Sequence, residues 1–439
     1  MKRLFAPALF LLLAACAASY TSMMTPVIGD LNRGMPEQAI ADLKHSFSDS
    51  TGDDRLLYLM ELGNLARYSG QYGLASSILL AADRLSDVQR GTDLGQQAEA
   101  MLTSDLALEF RGADYEKVFI NYALAASYAA EGNIEDAVVE ARRVNEKLLE
   151  FNDRYGDNPN RYTDDAFIRY FMGILYEMDG DLDDALISYR LALAAYDSVY
   201  SKDYGFSSPE RLRSDAMRLA DAIGYQSLLD TYSSRWPDTG YRHLPSGSGE
   251  IVAVVELGTI APREERDYTV VADDRVYRLA LPVLPDFSRR TIQGSISAGG
   301  VSSDLFLVQD MNGIARENLL DQAGRNVIRA AARLTVKAGV AELGESIAEE
   351  FTDDENVSSG IGLVLSIFGA ATEQADMRSW LTLPGQIHMT RMTLPAGTWP
   401  VTVNIDGFSR QHTPVQVRDG EITLLFIRED AFCGYRRVH

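Results

Sequence analysis

Chemistry needs reactive side chains at fixed spacing, and this chain of 439 residues offers few such places. The five histidines, His45, His243, His388, His412 and His439, are scattered, and no pair has the His-x-x-x-His spacing that puts two ligands on one helix face. No metal site is expected. Asp179-Gly180-Asp181-Leu182-Asp183 opens like a calcium loop, but Asp184 stands where the loop needs Gly and Arg190 where a bidentate Glu belongs. Acidic groups at a helix N-terminus, favoured by the helix dipole, explain that stretch without a metal. Ser246-Gly247-Ser248-Gly249 lacks the Lys-Ser/Thr of a phosphate loop and reads as a hinge, while Ser359-Gly360-Ile361-Gly362 lies in an apolar run with no base nearby in sequence. Glu264 and Glu265, set among Arg263 and Arg266, read as a solvated loop. The remaining polar constellation is Asp376 and Arg378 flanked by Trp380. Its spacing suits an arginine held by a carboxylate and stacked by an indole where a helix hands over to a strand, and this structural role is favoured over a ligand site. No catalytic residue and no cofactor is expected.

Cys16 carries a different chemistry. Lys2 and Arg3 precede an apolar run from Leu4 to Leu13, interrupted only by Pro7, and Leu13-Ala14-Ala15-Cys16 follows. That run is too short for a permanent membrane span. It resembles a bacterial lipoprotein signal with its lipobox, which implies removal of residues 1–15 and lipid, palmitate included, on Cys16; a plain secretory signal ending in Ala-x-Ala type residues is the alternative, less favoured reading. Ala17 rather than Asp after the cysteine then implies the periplasmic face of the outer membrane. Acyl chains at about 0.8 kcal/mol per buried methylene anchor such a protein without a spanning helix. With Cys16 acylated, Cys433 has no intramolecular disulfide partner and is either buried, the favoured reading, or free to pair between chains. A formal charge of −22 makes nucleic acid and anionic headgroups poor partners and favours a basic segment of a periplasmic or membrane protein.

The elements that position these residues begin with a repeat. Leu124, Ala125, Tyr128, Gly132, Ala137, Ala141 and Val144 are spaced 1, 3, 4, 5, 4 and 3 apart, and Met172, Gly173, Tyr176, Gly180, Ala185, Tyr189 and Ala192 repeat the spacing. Two antiparallel helices need such a pattern: small residues where they cross, an aromatic in the groove, a Gly in the turn. A weaker copy runs through Leu62, Gly63, Ala66, Gly70, Ala75, Leu79 and Ala82, and Gly34 with Ala39 keeps the turn spacing. The pattern resembles the tetratricopeptide repeat, a hairpin of about 34 residues that stacks into a solenoid. The turn glycines Gly34, Gly70, Gly132 and Gly180 lie 36, 62 and 48 residues apart, so the array is irregular: an extra helix is expected over Gln97–Arg111 and a loop over Asn152–Asn160. Ser208-Pro209-Glu210 should start a capping helix.

Pro237–Glu250 is a linker by composition, and beyond it the period becomes that of strands, with Ile251–Leu257, Tyr268–Val271, Val276–Ala280 and Leu305–Val308. Helical periodicity returns from Ile314 to about Glu350, and Gly360–Ala371 suits a buried helix. Strands resume at Ile387–Met392, Trp399–Ile405, His412–Val417 and Glu421–Ile427. Gly397–Val401, Gly407-Phe408 and Val415–Gly420 resemble small periplasmic sandwich modules of the PEGA or carboxypeptidase-regulatory kind, which implies a binding or spacing unit. Asp376-Met377-Arg378-Ser379-Trp380-Leu381-Thr382-Leu383-Pro384, taken with the repeats and the lipobox, resembles a family of uncharacterised bacterial lipoproteins. Members occur alongside lipoproteins that activate penicillin-binding proteins, which implies a place in envelope assembly.

The expected fold is multidomain, α then α+β: a TPR-like α-solenoid followed by a β-sandwich-like domain with an inserted helical hairpin. Its divisions are 1–15 signal, 16–29 lipidated Cys and tether, 30–236 repeats, 237–250 linker, 251–310 β-rich segment, 311–380 helical insertion and 381–439 β-sandwich-like segment. The expected function is a non-enzymatic adaptor whose first helices form a concave partner face, with Asn121, Arg169 and Tyr170 on it. A peptidoglycan-active or proteolytic enzyme with its site in the C-terminal half, and a structural envelope spacer, are the competing readings.

Overall fold

A computed structural model of the chain describes residues 20–47, 52–91, 109–155, 161–272, 275–285, 287–322, 375–429 and 435–437. Cys16, Cys433, most of the expected extra helix at 97–111 and the run 360–371 lie outside them.

Helices come in antiparallel pairs: α1 (Tyr20–Leu31) with α2 (Pro36–Ser46), α3 (Arg55–Tyr68) with α4 (Tyr72–Gly91), α5 (Asp114–Ala130) with α6 (Ile134–Tyr155), α7 (Ala166–Asp179) with α8 (Leu182–Ala195), and α9 (Glu210–Ala222) with α10 (Gln226–Arg235). The small residues of the repeat pattern sit where the helices cross. A Cβ on Gly63 would fall 2.6 Å from Leu79 Cγ, and one on Gly173 would overlap the Tyr189 ring. Gly132 and Gly180 turn the chain at φ of 80° and 85°, a left-handed conformation open to glycine at little cost. Asp181 caps α8 by accepting from the Asp184 N–H, so the calcium-like stretch is a helix start.

Several stretches differ from expectation: the linker placed at 237–250 already gives way to a strand at Ser248, and Glu264 and Glu265, expected in a solvated loop, open the strand Glu264–Ala272. The tether placed at 16–29 ends early, because α1 already begins at Tyr20 and forms the first hairpin with α2. The loop expected from Asn152 begins later, since α6 continues to Tyr155. After α8 the helix widens into a π-helical stretch, Tyr196–Tyr204, whose tyrosines turn toward the sheet.

The strands are β1 (Ser248–Leu257), β2 (Glu264–Ala272), β3 (Arg275–Val283), β4 (Phe287–Arg289), β5 (Gly294–Ala298), β6 (Val301–Asp304), β7 (Phe306–Asp310), β8 (Gln386–Pro395), β9 (Gly397–Ile405), β10 (Phe408–Val417), β11 (Ile422–Glu429) and β12 (Tyr435–Arg437). The stretches before and after the insertion form one sheet system: the four-stranded sheets run β11-β1-β8-β7 and β10-β9-β5-β6, so each takes strands from both. The insertion expected over 311–380 is helical at 311–322 and irregular at 375–380; residues between lie outside the description.

β1 shows how the layers meet. Ile251, Ala253, Val255 and Leu257 face Met392, Leu394, Val401, Val403 and Ile405 in the core between the sheets. Val252 and Val254 face the other way, into the core shared with the helices. A strand covered on both faces reads as a continuous apolar run. The first helices α3, α5 and α7 are correspondingly buried on nearly all sides, held between their neighbours and the sheet.

Candidate functional site

The concave face expected to be open is filled by the chain's own sheet. Its contacts fall into two ends of one polar seam.

At the first end, residues 375–384 lie on α3 and α5. Trp380 is fully buried, and the turn from Trp380 to Leu383 presents successive main-chain N–H groups to the helices. The Trp380 N–H donates to Glu116 Oε1 at 2.8 Å, Leu381 N–H to Glu61 Oε1 at 2.6 Å and Thr382 N–H to Glu61 Oε2 at 3.0 Å. Asn64 Nδ2 donates to the Thr382 carbonyl at 2.9 Å, with its own amide oriented by Arg67, which donates to Asn64 Oδ1 at 2.9 and 3.1 Å. The indole N–H finds Thr382 Oγ1 at 3.0 Å, within the turn itself. The first residue of α1 joins in: the Tyr20 hydroxyl donates to Glu61 at 2.6 Å. Burial pushes the Glu61 carboxyl up to about 7, against the opposing pull of these donors.

At the second end, Arg391 of β8 is 1% exposed and forks onto Glu177 of α7 at 2.9 and 3.0 Å. It also reaches Glu250 of β1 at 2.5 Å and Asp215 of α9 at 3.5 Å. Arg218 pairs with Glu177 at 2.7 Å, and Arg211 bridges Asp215 at 3.1 Å and Glu250 at 3.2 Å. Arg391, Arg211 and Arg218 thus balance Glu177, Asp215 and Glu250, which is what a charged cluster needs to persist away from water. Burial raises the Glu177 carboxyl, but Arg391 and Arg218 outweigh it and hold it down at about 2.

Between the two ends, Glu256 of β1 accepts from Arg67 at 2.7 Å and from the Tyr122 hydroxyl at 2.8 Å. Farther along, Asp165 caps α7 through the Ile168 N–H and accepts from Tyr162 at 2.8 Å and Gln309 at 2.7 Å. Its burial pushes that carboxyl up to about 6.

The residues expected on a free partner face are engaged within the chain. Asn121 is 0% exposed and donates to Glu140 at 2.8 Å. Tyr170 is 0% exposed with its hydroxyl on Asp215 at 2.8 Å, and Arg169 pairs with Asp164 and with Asn145. All three stand on the first helices of their hairpins, but the sheet and the neighbouring helices cover Asn121 and Tyr170. Asp376 and Arg378 pair at 2.9 Å, with Asp54 adding a second carboxylate at 2.7 Å. The ring nearest that guanidinium differs from the one expected: Arg378 lies 5.7 Å from the Phe110 ring centre, while Trp380 is buried in the turn.

Glu61, Asn64, Glu116, Glu177 and Arg391 are absent from the residues that sequence patterns single out. A signal exists for some. Glu61 and Asn64 interrupt an apolar helix, and Glu250 and Glu256 bracket the β1 run at positions of equal parity, which puts both on one strand face. Among the described residues no cluster of three or more His, Cys, Asp or Glu is placed to hold a metal ion, and no helix is long and apolar enough to cross a membrane. His388 is buried between the sheets, with burial pushing it down to about 4. Two open grooves among the described residues lie outside the seam, one lined by Ile40, Leu62 and Ile78, the other by Leu186, Ile187 and Leu228.

No protein-family model and no curated protein matches the chain. Solved structures of repeat proteins are similar to its helical half. A kinesin light chain-type TPR-like repeat protein of Podosopora anserina is 15% identical, with 49% of this chain and 92% of that one covered and a TM-score of 0.32. A thermophilic TPR protein of Thermus thermophilus is 13% identical, covering 50% and 90%, with a TM-score of 0.26. The TPR2AB domain of yeast Sti1, solved in complex with pHSP90, is 13% identical, covering 50% and 92%, with a TM-score of 0.21. The hairpin geometry stands on the chain's own contacts and not on these scores.

Proposed function

We propose that the protein is a lipid-anchored, non-catalytic adaptor of the cell envelope whose helical hairpins hold polypeptide. The observation that carries this reading is the seam's first end, where side chains of α3 and α5 grip another part of the chain by its main-chain N–H and carbonyl groups. Side chains that read a backbone are the equipment of a peptide-holding surface. Anchoring rests on the lipobox. Only residues 17–19 separate Cys16 from α1, a reach of at most about 14 Å. Lipid on Cys16 would therefore hold the first hairpin close to the headgroups, with the rest of the repeats and the sheet behind it.

Two experiments test the reading. Palmitate labelling should be abolished by Cys16→Ala; persistent label would move or remove the anchor. Full-length protein used as bait on solubilised envelopes should retain a defined protein under mild salt. If nothing is retained while the same protein turns over peptidoglycan, the adaptor reading fails in favour of the enzymatic one.

A further inference from the structure

We infer that the inner face of α3 and α5 is a recognition site for a tryptophan-centred turn of the type Arg-x-Trp-x-Thr, and that residues 378–384 fill it as a ligand in cis. This deepens the adaptor reading and rests on it: it names the kind of segment a partner must present. The division of labour at the site points to it. On the helix side every contact is a side chain, Glu61, Asn64 and Glu116; on the other side the contacts are main chain except at Thr382, whose hydroxyl also accepts from Asn64 Nδ2 at 3.3 Å. Successive N–H groups of a turn form a concave donor set that suits an anion, and here two carboxylates from two helices occupy it.

Specificity comes from two side chains of the turn. Trp380 is 0% exposed, and its indole N–H, which burial would otherwise leave without water, is satisfied by Thr382 Oγ1. A peptide lacking the indole leaves the site unfilled, and one lacking the hydroxyl leaves a buried donor unpaired. Arg378 adds a third feature, because Asp54 at the start of α3 accepts from its guanidinium at 2.7 Å. The ligand class is therefore a short peptide carrying Arg-x-Trp-x-Thr that closes into a turn, from a second polypeptide. The resident segment holds it out by its high local concentration.

The test is a titration of the full-length protein with a fluorescent synthetic peptide, Asp-Met-Arg-Ser-Trp-Leu-Thr-Leu-Pro. Wild type, with its site filled, should bind about ten-fold or more weakly than the Trp380→Ala variant, in which the resident turn is weakened. A peptide with Ala in place of its Trp should not bind the variant, and Glu61→Gln added to Trp380→Ala should weaken binding by about ten-fold. If Trp380→Ala does not melt cooperatively, Thr382→Ala is titrated in its place and judged by the same results. A variant that melts cooperatively and yet binds the two peptides alike, or neither, overturns the proposal and leaves the turn as packing. Because the titration uses no envelope protein, a failed bait experiment leaves it standing, and a failed titration leaves capture by other surfaces standing.

Discussion

The two ends of the seam solve one problem, joining hairpins to a sheet, by opposite means. At the Arg391 end both layers contribute side chains, and three guanidinium groups mesh with three carboxylates from α7, α9 and β1. At the Trp380 end one layer contributes side chains and the other mainly its backbone, with the Arg378 guanidinium on Asp54 and the Thr382 hydroxyl on Asn64 beside it. Side chain on side chain specifies a single pair of surfaces, since every charge removed strands another. Side chain on backbone specifies a conformation, a turn with its N–H groups turned to the helices, and fixes fewer residue identities in the other layer. The first arrangement suits a permanent joint and the second an exchangeable one.

Removing the hub should have the largest effect. Arg391→Ala leaves Glu177, Asp215 and Glu250 short of a partner in a buried place, and a loss of about 3–5 kcal/mol is expected in denaturant titration. A loss under about 1 kcal/mol would show that water reaches the cluster and that the joint is not the stronger one. Glu61→Gln should cost less, about 1–3 kcal/mol, because it replaces one acceptor of a buried set with a donor.

The two ends should also part company with pH. The Glu61 carboxyl sits at about 7 against an ordinary 4.5, so the folded protein binds the extra proton. Its contribution is complete below 4.5 and is lost as pH rises through about 7. Glu177 is held at about 2, so its contribution is present above 4.5 and lost as pH falls toward 2. His388, pushed down to about 4, adds to the acid loss below its ordinary 6.5. Hydrogen exchange, corrected for intrinsic rates, should show the amides of Trp380, Leu381 and Thr382 less protected above about pH 7 than near pH 5, an effect that Glu61→Gln removes. Unchanged protection across that window would make the Trp380 end as fixed as the other. The smallest effect belongs to a group in neither end: Asp181→Ala should cost about 1 kcal/mol as a lost helix cap, and added calcium should leave the wild-type melt unchanged.

Local order was legible because it depends on neighbours in sequence. The crossing glycines Gly63 and Gly173, the turn glycines Gly132 and Gly180, and the apolar run of β1 each obey a short-range period, and each stands where that period puts it. The Asp376–Arg378 pair, two residues apart, was readable for the same reason. The site around it was not, since Asn64 meets Thr382 across 318 positions and Glu61 meets Leu381 across 320. No local rule connects such partners.

The sequence by itself thus determined the hairpins and the strands. Only the tertiary structure decided that β1 lies between β11 and β8, and that the concave face is closed by the chain's own sheet. The physical reason lies in what a buried polar group demands. Glu61, Glu177 and Arg391 look like interruptions of apolar patterns until their partners arrive from distant elements, and only then does burying them become tolerable.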